Sequence, residues 1–145
     1  MEILLEKYLT MDNILFMLKA AGVSVGIAAL ALTLGLCLGI LGAAGRISKN
    51  KLAHGLATFY VETIRGTPMM LQILFFYLGV PSIVRSITGT PFNPSVYLIG
   101  IVALSINSGA YTTELIRSAI QAVDNGQWEA SRTLGLGYGQ MMRFI

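Results

Sequence analysis

Three long stretches of this chain carry no charged residue. The first runs from Ala20 to Gly45, between Lys19 and Arg46. At roughly 26 residues it exceeds the roughly 20 that a spanning helix needs, so it crosses a bilayer with some tilt. It is also longer than the apolar region of a cleaved signal peptide, about 7–15 residues. The segment before it is not basic either: Glu2, Glu6 and Asp12 stand against Lys7 and Lys19. The second stretch runs from Gly66 to Val84, between Arg65 and Arg85. Thr67 before Pro68 predicts its start, with threonine as the cap and proline at the first helical position. Gly79 and Pro81 predict its end. Ahead of it, Lys51 to Ile64 is amphipathic, with Leu52, Leu56 and Phe59 at helical spacing. That segment reads either as an interfacial helix or as the lower part of a bent second span. A turn-rich connector, Gly79 to Pro94, follows. The third uncharged stretch, Ser86 to Thr113, predicts a helix from Asn93-Pro94 through Thr113 and beyond. The expected spans are thus 18–45, 55–84 and 94–116, followed by a polar segment over 121–145.

Composition strengthens the membrane reading. The 145 residues are 54% hydrophobic and only 12% charged, with a mean hydropathy of +0.70. A soluble domain is about 25% charged, so this chain cannot easily cover a water-facing surface. Disorder is excluded by the same numbers. The single cysteine, Cys37, lies inside an apolar run and excludes a disulfide scaffold. The 16 glycines suit packed membrane helices. Gly22/Gly26 and Gly35/Gly39 have the small-xxx-small spacing of a close helix contact. A net charge of +3 on so few charges reads as a bias of basic residues toward the cytoplasmic side rather than as a nucleic-acid surface. The loop Arg46-Ile47-Ser48-Lys49-Asn50-Lys51 holds three positives and no acid, and Arg117, Arg132 and Arg143 follow the third span. This places the N-terminus outside, the Arg46 loop inside, the Arg85 connector outside and the C-terminal segment in the cytoplasm.

Catalysis finds little support. With His54 as the single histidine, no His/Cys/acid cluster can hold a metal. No serine, cysteine or threonine has an evident base partner. No glycine-rich loop carries the lysine an ATPase needs, so ATP would require another chain. The charged ring or filter loop of an ion channel is also missing. On the third span, Gly100, Asn107, Tyr111 and Glu114 fall on one face. That stripe reads either as the lining of a substrate path or as interhelical hydrogen bonding; Gln72 is a further path candidate. Glu62/Arg65 and Glu114/Arg117 are i,i+3 pairs spaced to neutralise each other near a boundary. Asp124 to Gly135 reads as a short surface helix, with Asp124 capping, Gln127 reciprocating and Gly135 terminating. Trp128, Ser131, Leu134 and Gly135 would form an exposed knob, either a docking element or a solvated interfacial helix.

Glu129-Ala130-Ser131-xxx-Gly135, followed by nine residues and then Ile145, resembles the EAA loop (E-A-A-x3-G-x9-I-x-L-P) of ABC importer permeases. The runs Tyr60-Val61-Glu62-Thr63-Ile64-Arg65-Gly66-Thr67-Pro68-Met69-Met70-Leu71-Gln72, Gly109-Ala110-Tyr111-Thr112-Thr113-Glu114-Leu115-Ile116-Arg117 and Gln121 through Ala130 resemble the polar amino-acid (histidine/glutamine/arginine) branch. Together they cover the chain from about Lys19 onward. Ser131 stands for the motif's second alanine and is nearly isosteric with it. The chain stops two residues before the motif's Leu-Pro.

The resemblance implies an all-α membrane protein holding three transmembrane helices of a five-span importer-permease fold, plus a short cytoplasmic coupling helix in a truncated EAA loop. It implies ATPase coupling through Gln127, Trp128, Glu129, Ala130, Ser131, Gly135 and Ile145. Glu62, Arg65, Gly66, Thr67, Pro68, Gly109, Tyr111, Glu114 and Arg117 carry family motifs with structural roles. Gln72, Asn107 and Glu114 are the pathway candidates. The implied partners are a cytoplasmic ATP-binding subunit that holds ATP and magnesium, a second permease subunit (identical or homologous), an extracytoplasmic solute-binding protein, a polar amino acid and the lipid bilayer. The chain itself would bind no cofactor and no nucleic acid. The expected location is the bacterial cytoplasmic membrane. The alternative is a three-span protein without transport of its own, a scaffold or non-functional fragment; an in-frame Leu-Pro and two further apolar spans beyond Ile145 would favour the first reading.

Overall fold

The computed structural model describes residues 10–144, which form helices and short turns with no strand among them. The first apolar run belongs to one long helix, α1 (Met11–Ile47), which begins well before Lys19. Asp12 in its first turn and Arg46 in its last oppose the helix dipole. The amphipathic stretch is α2 (Lys51–Arg65). Asn50 caps it by accepting from Leu52 N–H at 2.9 Å and Ala53 N–H at 3.4 Å. The second apolar stretch comprises α3 (Met69–Leu74), a π-helical turn (Phe75–Gly79) and α4 (Val80–Thr88), a continuous apolar helix of 20 residues.

Two local expectations are corrected here. Gly79 and Pro81 do not end the helix. Val80 N–H bonds Phe75 O in an i→i−5 link, and this wider turn absorbs the donor that Pro81 lacks. The helix instead ends at Gly89, whose φ of +70° closes it while its N–H bonds Arg85 O at 2.9 Å. Part of the expected connector is therefore helical. Pro68 is also the cap residue rather than the first helical one. The Thr67 hydroxyl turns back to Thr63 O at 2.7 Å and finishes α2 instead of capping α3. The third span is α5 (Val96–Ala122), capped by the Ser95 hydroxyl accepting from Leu98 N–H at 3.2 Å. Two short helices follow, α6 (Asn125–Thr133) and α7 (Tyr138–Phe144).

The core is the seam between α1 and α5. Ala31, Gly35, Gly39 and Ala43, four residues apart, are the buried positions of α1. They face Ala103, Gly109, Ala110 and Thr113 of α5. A Cβ on Gly35 would lie 2.8 Å from Ser108 Cβ, and one on Gly39 would lie 2.5 Å from Thr112 Cγ2. The pairings rise together in number, so the two helices run parallel. Small residues let the backbones touch, as in membrane helix pairs. The Thr113 hydroxyl donates to Gly109 O at 2.8 Å and to Gly39 O at 3.3 Å. Of the two small-residue pairs, Gly35/Gly39 forms the seam, whereas Gly22 and Gly26 have no neighbour within 4 Å. α2 joins through Tyr60, whose hydroxyl donates to Ile106 O at 2.7 Å.

Among the described residues, three helices are long and apolar enough to cross a membrane: Met11–Ile47, Met69–Thr88 and Val96–Ala122. Large apolar side chains such as Phe16, Leu41, Met70 and Leu78 point outward along them. Such a surface requires lipid or further helices around it. Gly39→Leu forces a branched side chain into the seam, at a cost of about 1–3 kcal/mol. It lowers the thermal unfolding midpoint of the detergent-solubilised protein, followed by size-exclusion chromatography of heated samples. Gly22→Leu leaves that midpoint unchanged.

Candidate functional site

Three groups of polar residues stand out against this apolar frame. The first lies where the C-terminal ends of α1 and α5 meet α2. Arg46, in the last turn of α1, donates from one terminal nitrogen to the Thr58 hydroxyl of α2 at 2.7 Å. The other reaches Glu114 Oε2 of α5 at 3.4 Å, and Glu62 Oε1 lies 3.9 Å away. Arg117 Nε donates to both Glu114 oxygens at 3.0 and 3.1 Å. Its terminal nitrogens pair with Glu114 and Gln121. Glu114 thus sits between two guanidinium groups on different helices. The side chains of Arg46 and Glu114 are only 15% and 20% exposed, so solvent screens this pair less than a surface one. Arg65 takes another partner, lying 5.3 Å over the ring of Tyr111.

The second group is a pair of amides at the bend between α2 and α3. Gln72 is buried, and its nitrogen donates to Ile64 O at 2.8 Å and Thr67 O at 2.9 Å. These carbonyls lose their helical partners where α2 stops at Gly66 and the chain turns through Pro68. Gln72 Oε1 accepts from Asn107 Nδ2 at 3.2 Å. Both donors of Gln72 and its acceptor are therefore engaged within the chain. Asn107 also lines a groove between α1 and α5, together with Ala28, Ala31, Leu32, Leu104 and Ser108.

The third group is α6. Asp124 caps it, accepting from Gly126 N–H at 2.6 Å. The cap is an Asp124–Gly126 turn in place of the expected exchange with Gln127, whose backbone N–H bonds Asp124 O at 3.0 Å. At the other end Gly135 has φ +71°. Gly135 N–H bonds Arg132 O at 3.0 Å and Leu136 N–H bonds Ser131 O at 3.1 Å, the paired bonds of a Schellman ending.

The structure divides the expected knob. Ser131 is buried, its hydroxyl donating to Trp128 O at 2.8 Å. Trp128 turns toward the body and borders a cavity with Ala119, Ile120, Val123, Met141 and Met142. The indole is half-buried there and shares the cavity with apolar residues at the ends of α5 and α7. Gln127, Glu129, Ala130 and Gly135 remain exposed, as does Leu134 at 78%. Ile145 lies outside the described residues.

Of the sequence-predicted residues, Glu114/Arg117 form their expected pair, and Gln72 and Asn107 meet. Glu62 and Arg65 do not pair: Glu62 faces Arg46, and Arg65 faces Tyr111. Both residues lie within α2, and each takes a partner on another helix instead. Gly66 closes α2 where a Cβ would meet Glu62 O at 2.8 Å, and Gly109 lies where one would meet Leu38 Cβ at 2.9 Å. Arg46, Thr58 and Tyr60 were not singled out as site residues. Arg46 did carry a signal, as the first charge after the first uncharged run.

This arrangement can be set beside known proteins. The family described as binding-protein-dependent transport system inner membrane component matches residues 35–145. The arginine transport system permease protein ArtQ of Bacillus subtilis (strain 168) is 37% identical over 134 residues, covering 92% of this chain and 58% of ArtQ. The putative glutamine transport system permease protein GlnP of Rickettsia prowazekii (strain Madrid E) is 36% identical over 133 residues, with 92% and 58% covered. The octopine transport system permease protein OccQ of Rhizobium meliloti is 36% identical over 135 residues, with 89% and 56% covered. A solved structure, the crystal structure of an amino acid ABC transporter with histidines, superposes with a TM-score of 0.68 at 36% identity, covering 90% of this chain and 61% of that one. The chain therefore spans somewhat over half the length of the curated relatives it matches. It belongs to the binding-protein-dependent transport system inner membrane component family.

Proposed function

We propose that this chain forms part of the membrane permease of an ATP-driven importer of polar amino acids in the bacterial cytoplasmic membrane. α6 is its coupling helix and seats in a groove of a cytoplasmic ATP-binding subunit, which holds ATP and magnesium. An extracytoplasmic solute-binding protein delivers the amino acid, and a second permease subunit completes the path. The observation that carries the reading is α6 itself. It is stapled at both ends, joined to the end of a spanning helix at Val123, and leaves Glu129, Ala130 and Leu134 exposed. A rigid short helix of this kind transmits a push, because neither end can fray to absorb it.

Within the path, Asn107 is the stronger contact candidate, since Gln72 is fully used in bracing the bend. Glu114 is held by Arg46 and Arg117, and its role is structural.

The test uses the full-length permease assembled with its ATP-binding subunit in proteoliposomes. Gly135→Leu places a branched side chain at φ +71°, at a cost of about 1–2 kcal/mol. Amino-acid uptake falls by about fivefold or more while ATP hydrolysis persists; Gly135→Asn, which tolerates that backbone, retains uptake. Unchanged uptake in Gly135→Leu overturns the coupling assignment. In the same vesicles, Asn107→Ala shifts the amino-acid concentration for half-maximal uptake. Gln72→Ala instead lowers thermal stability, by about 1 kcal/mol for the bonds lost to Ile64 O and Thr67 O.

A further inference from the structure

We infer that Arg46 is the joint that makes α1 and α2 follow the coupling helix. The inference rests on the coupling role proposed for α6. α5 runs unbroken to Ala122, and Asp124 already caps α6, so Val123 is the single residue between the two helical segments. Trp128 borders one cavity with Ala119, Ile120 and Val123, and the only covalent route from α6 into the spans is the short link at Val123 to the last turn of α5. A displacement of α6 therefore acts first on the end of α5. Glu114 lies about 12 Å up that helix from Ala122, at 1.5 Å per residue.

At that level a single guanidinium spans three helices. Arg46 belongs to α1 by its backbone, to α2 through Thr58 at 2.7 Å and to α5 through Glu114 at 3.4 Å. Each partner is anchored within its own neighbourhood. Glu114 is gripped on its own helix by Arg117. Thr58 lies two residues from Tyr60, which holds Ile106 O at 2.7 Å. The His54 ring nitrogen lies 2.8 Å from Arg46 O and fixes the backbone from which the guanidinium reaches out. Arg46 Nε is buried without a hydrogen-bond partner, so the side chain gives up a bond of its own to make the other contacts. Below this level the α1/α5 seam already has backbones in contact at Gly39 and Thr112, where the helices resist sliding. The guanidinium adds the directional tie at the end where the push arrives, and extends it to α2.

Arg46 is thus a positioning residue, and its loss separates hydrolysis from movement. The experiment measures ATP hydrolysed per amino acid taken up, with the full-length complex in proteoliposomes. Arg46→Gln raises that ratio about fivefold, the scale on which residues along a coupling network act. Arg46→Lys keeps the charge and restores part of the coupling. In Arg46→Gln/Glu114→Gln the ratio is no worse than in the poorer single variant, because both act through one contact. A variant that merely folds poorly loses uptake and stimulated hydrolysis in proportion, leaving the ratio unchanged; that result, or multiplicative effects of the two substitutions, overturns the inference. Absence of ATP-driven uptake in the unmodified full-length complex overturns the coupling reading beneath it instead.

Discussion

The close approach of α1 and α5 is the constraint from which the other contacts follow. Where Gly35, Gly39 and Gly109 sit, a Cβ would lie inside the neighbouring helix. Lipid tails are as apolar as leucine side chains, so hydrophobic burial alone cannot hold two helices together in a bilayer. Contact between backbones supplies dispersion at short range and brings a threonine hydroxyl within reach of a carbonyl on the other helix, as Thr113 does with Gly39. It also decides what can happen at the Arg46 end of the seam. Arg46 reaches Glu114 because the two helices arrive there already in register. Larger residues in the seam would push the helices apart, and both the Thr113–Gly39 and the Arg46–Glu114 ties would be lost.

A second constraint is the satisfaction of backbone groups where helices break inside apolar surroundings. The turn from α2 into α3 frees carbonyls that water cannot reach at low cost. Gln72 covers two of them with one side chain and passes its own acceptor to Asn107. The bend is therefore not a loose hinge. It is an angle stitched by one amide. At Pro81 the helix continues, because an i→i−5 turn hides the missing donor.

The spans, the short C-terminal helix and its glycine stop were legible in the sequence, because charge-free length, cap chemistry and positive-φ glycine are local properties. Gly35/Gly39 was legible as a motif but could not be told from Gly22/Gly26, since spacing is the same in both and only the presence of α5 distinguishes them. The Glu62/Arg65 pairing failed for the opposite reason. Local spacing favoured it, and two helix ends from elsewhere in the chain supplied better partners. Ser131 looked exposed on an isolated α6, yet it is buried in the folded chain. The break at Gly79-Val80-Pro81 was over-read because a proline is compared with an α-helix, and a π turn follows different rules.

Arg46 shows how one residue can answer to two demands. As a charge beside an apolar run it helps fix which side of the membrane the loop occupies, a role any basic residue fills. As a fork of donors it bonds a hydroxyl on one helix and a carboxylate on another, which an ammonium on a flexible stem does less well. The two demands make different predictions about substitution: lysine satisfies the first completely and the second only in part. A change that leaves insertion intact but loosens the link between hydrolysis and uptake would therefore separate topology from mechanics at a single side chain, and the geometry around Thr58 and Glu114 is what makes that separation measurable.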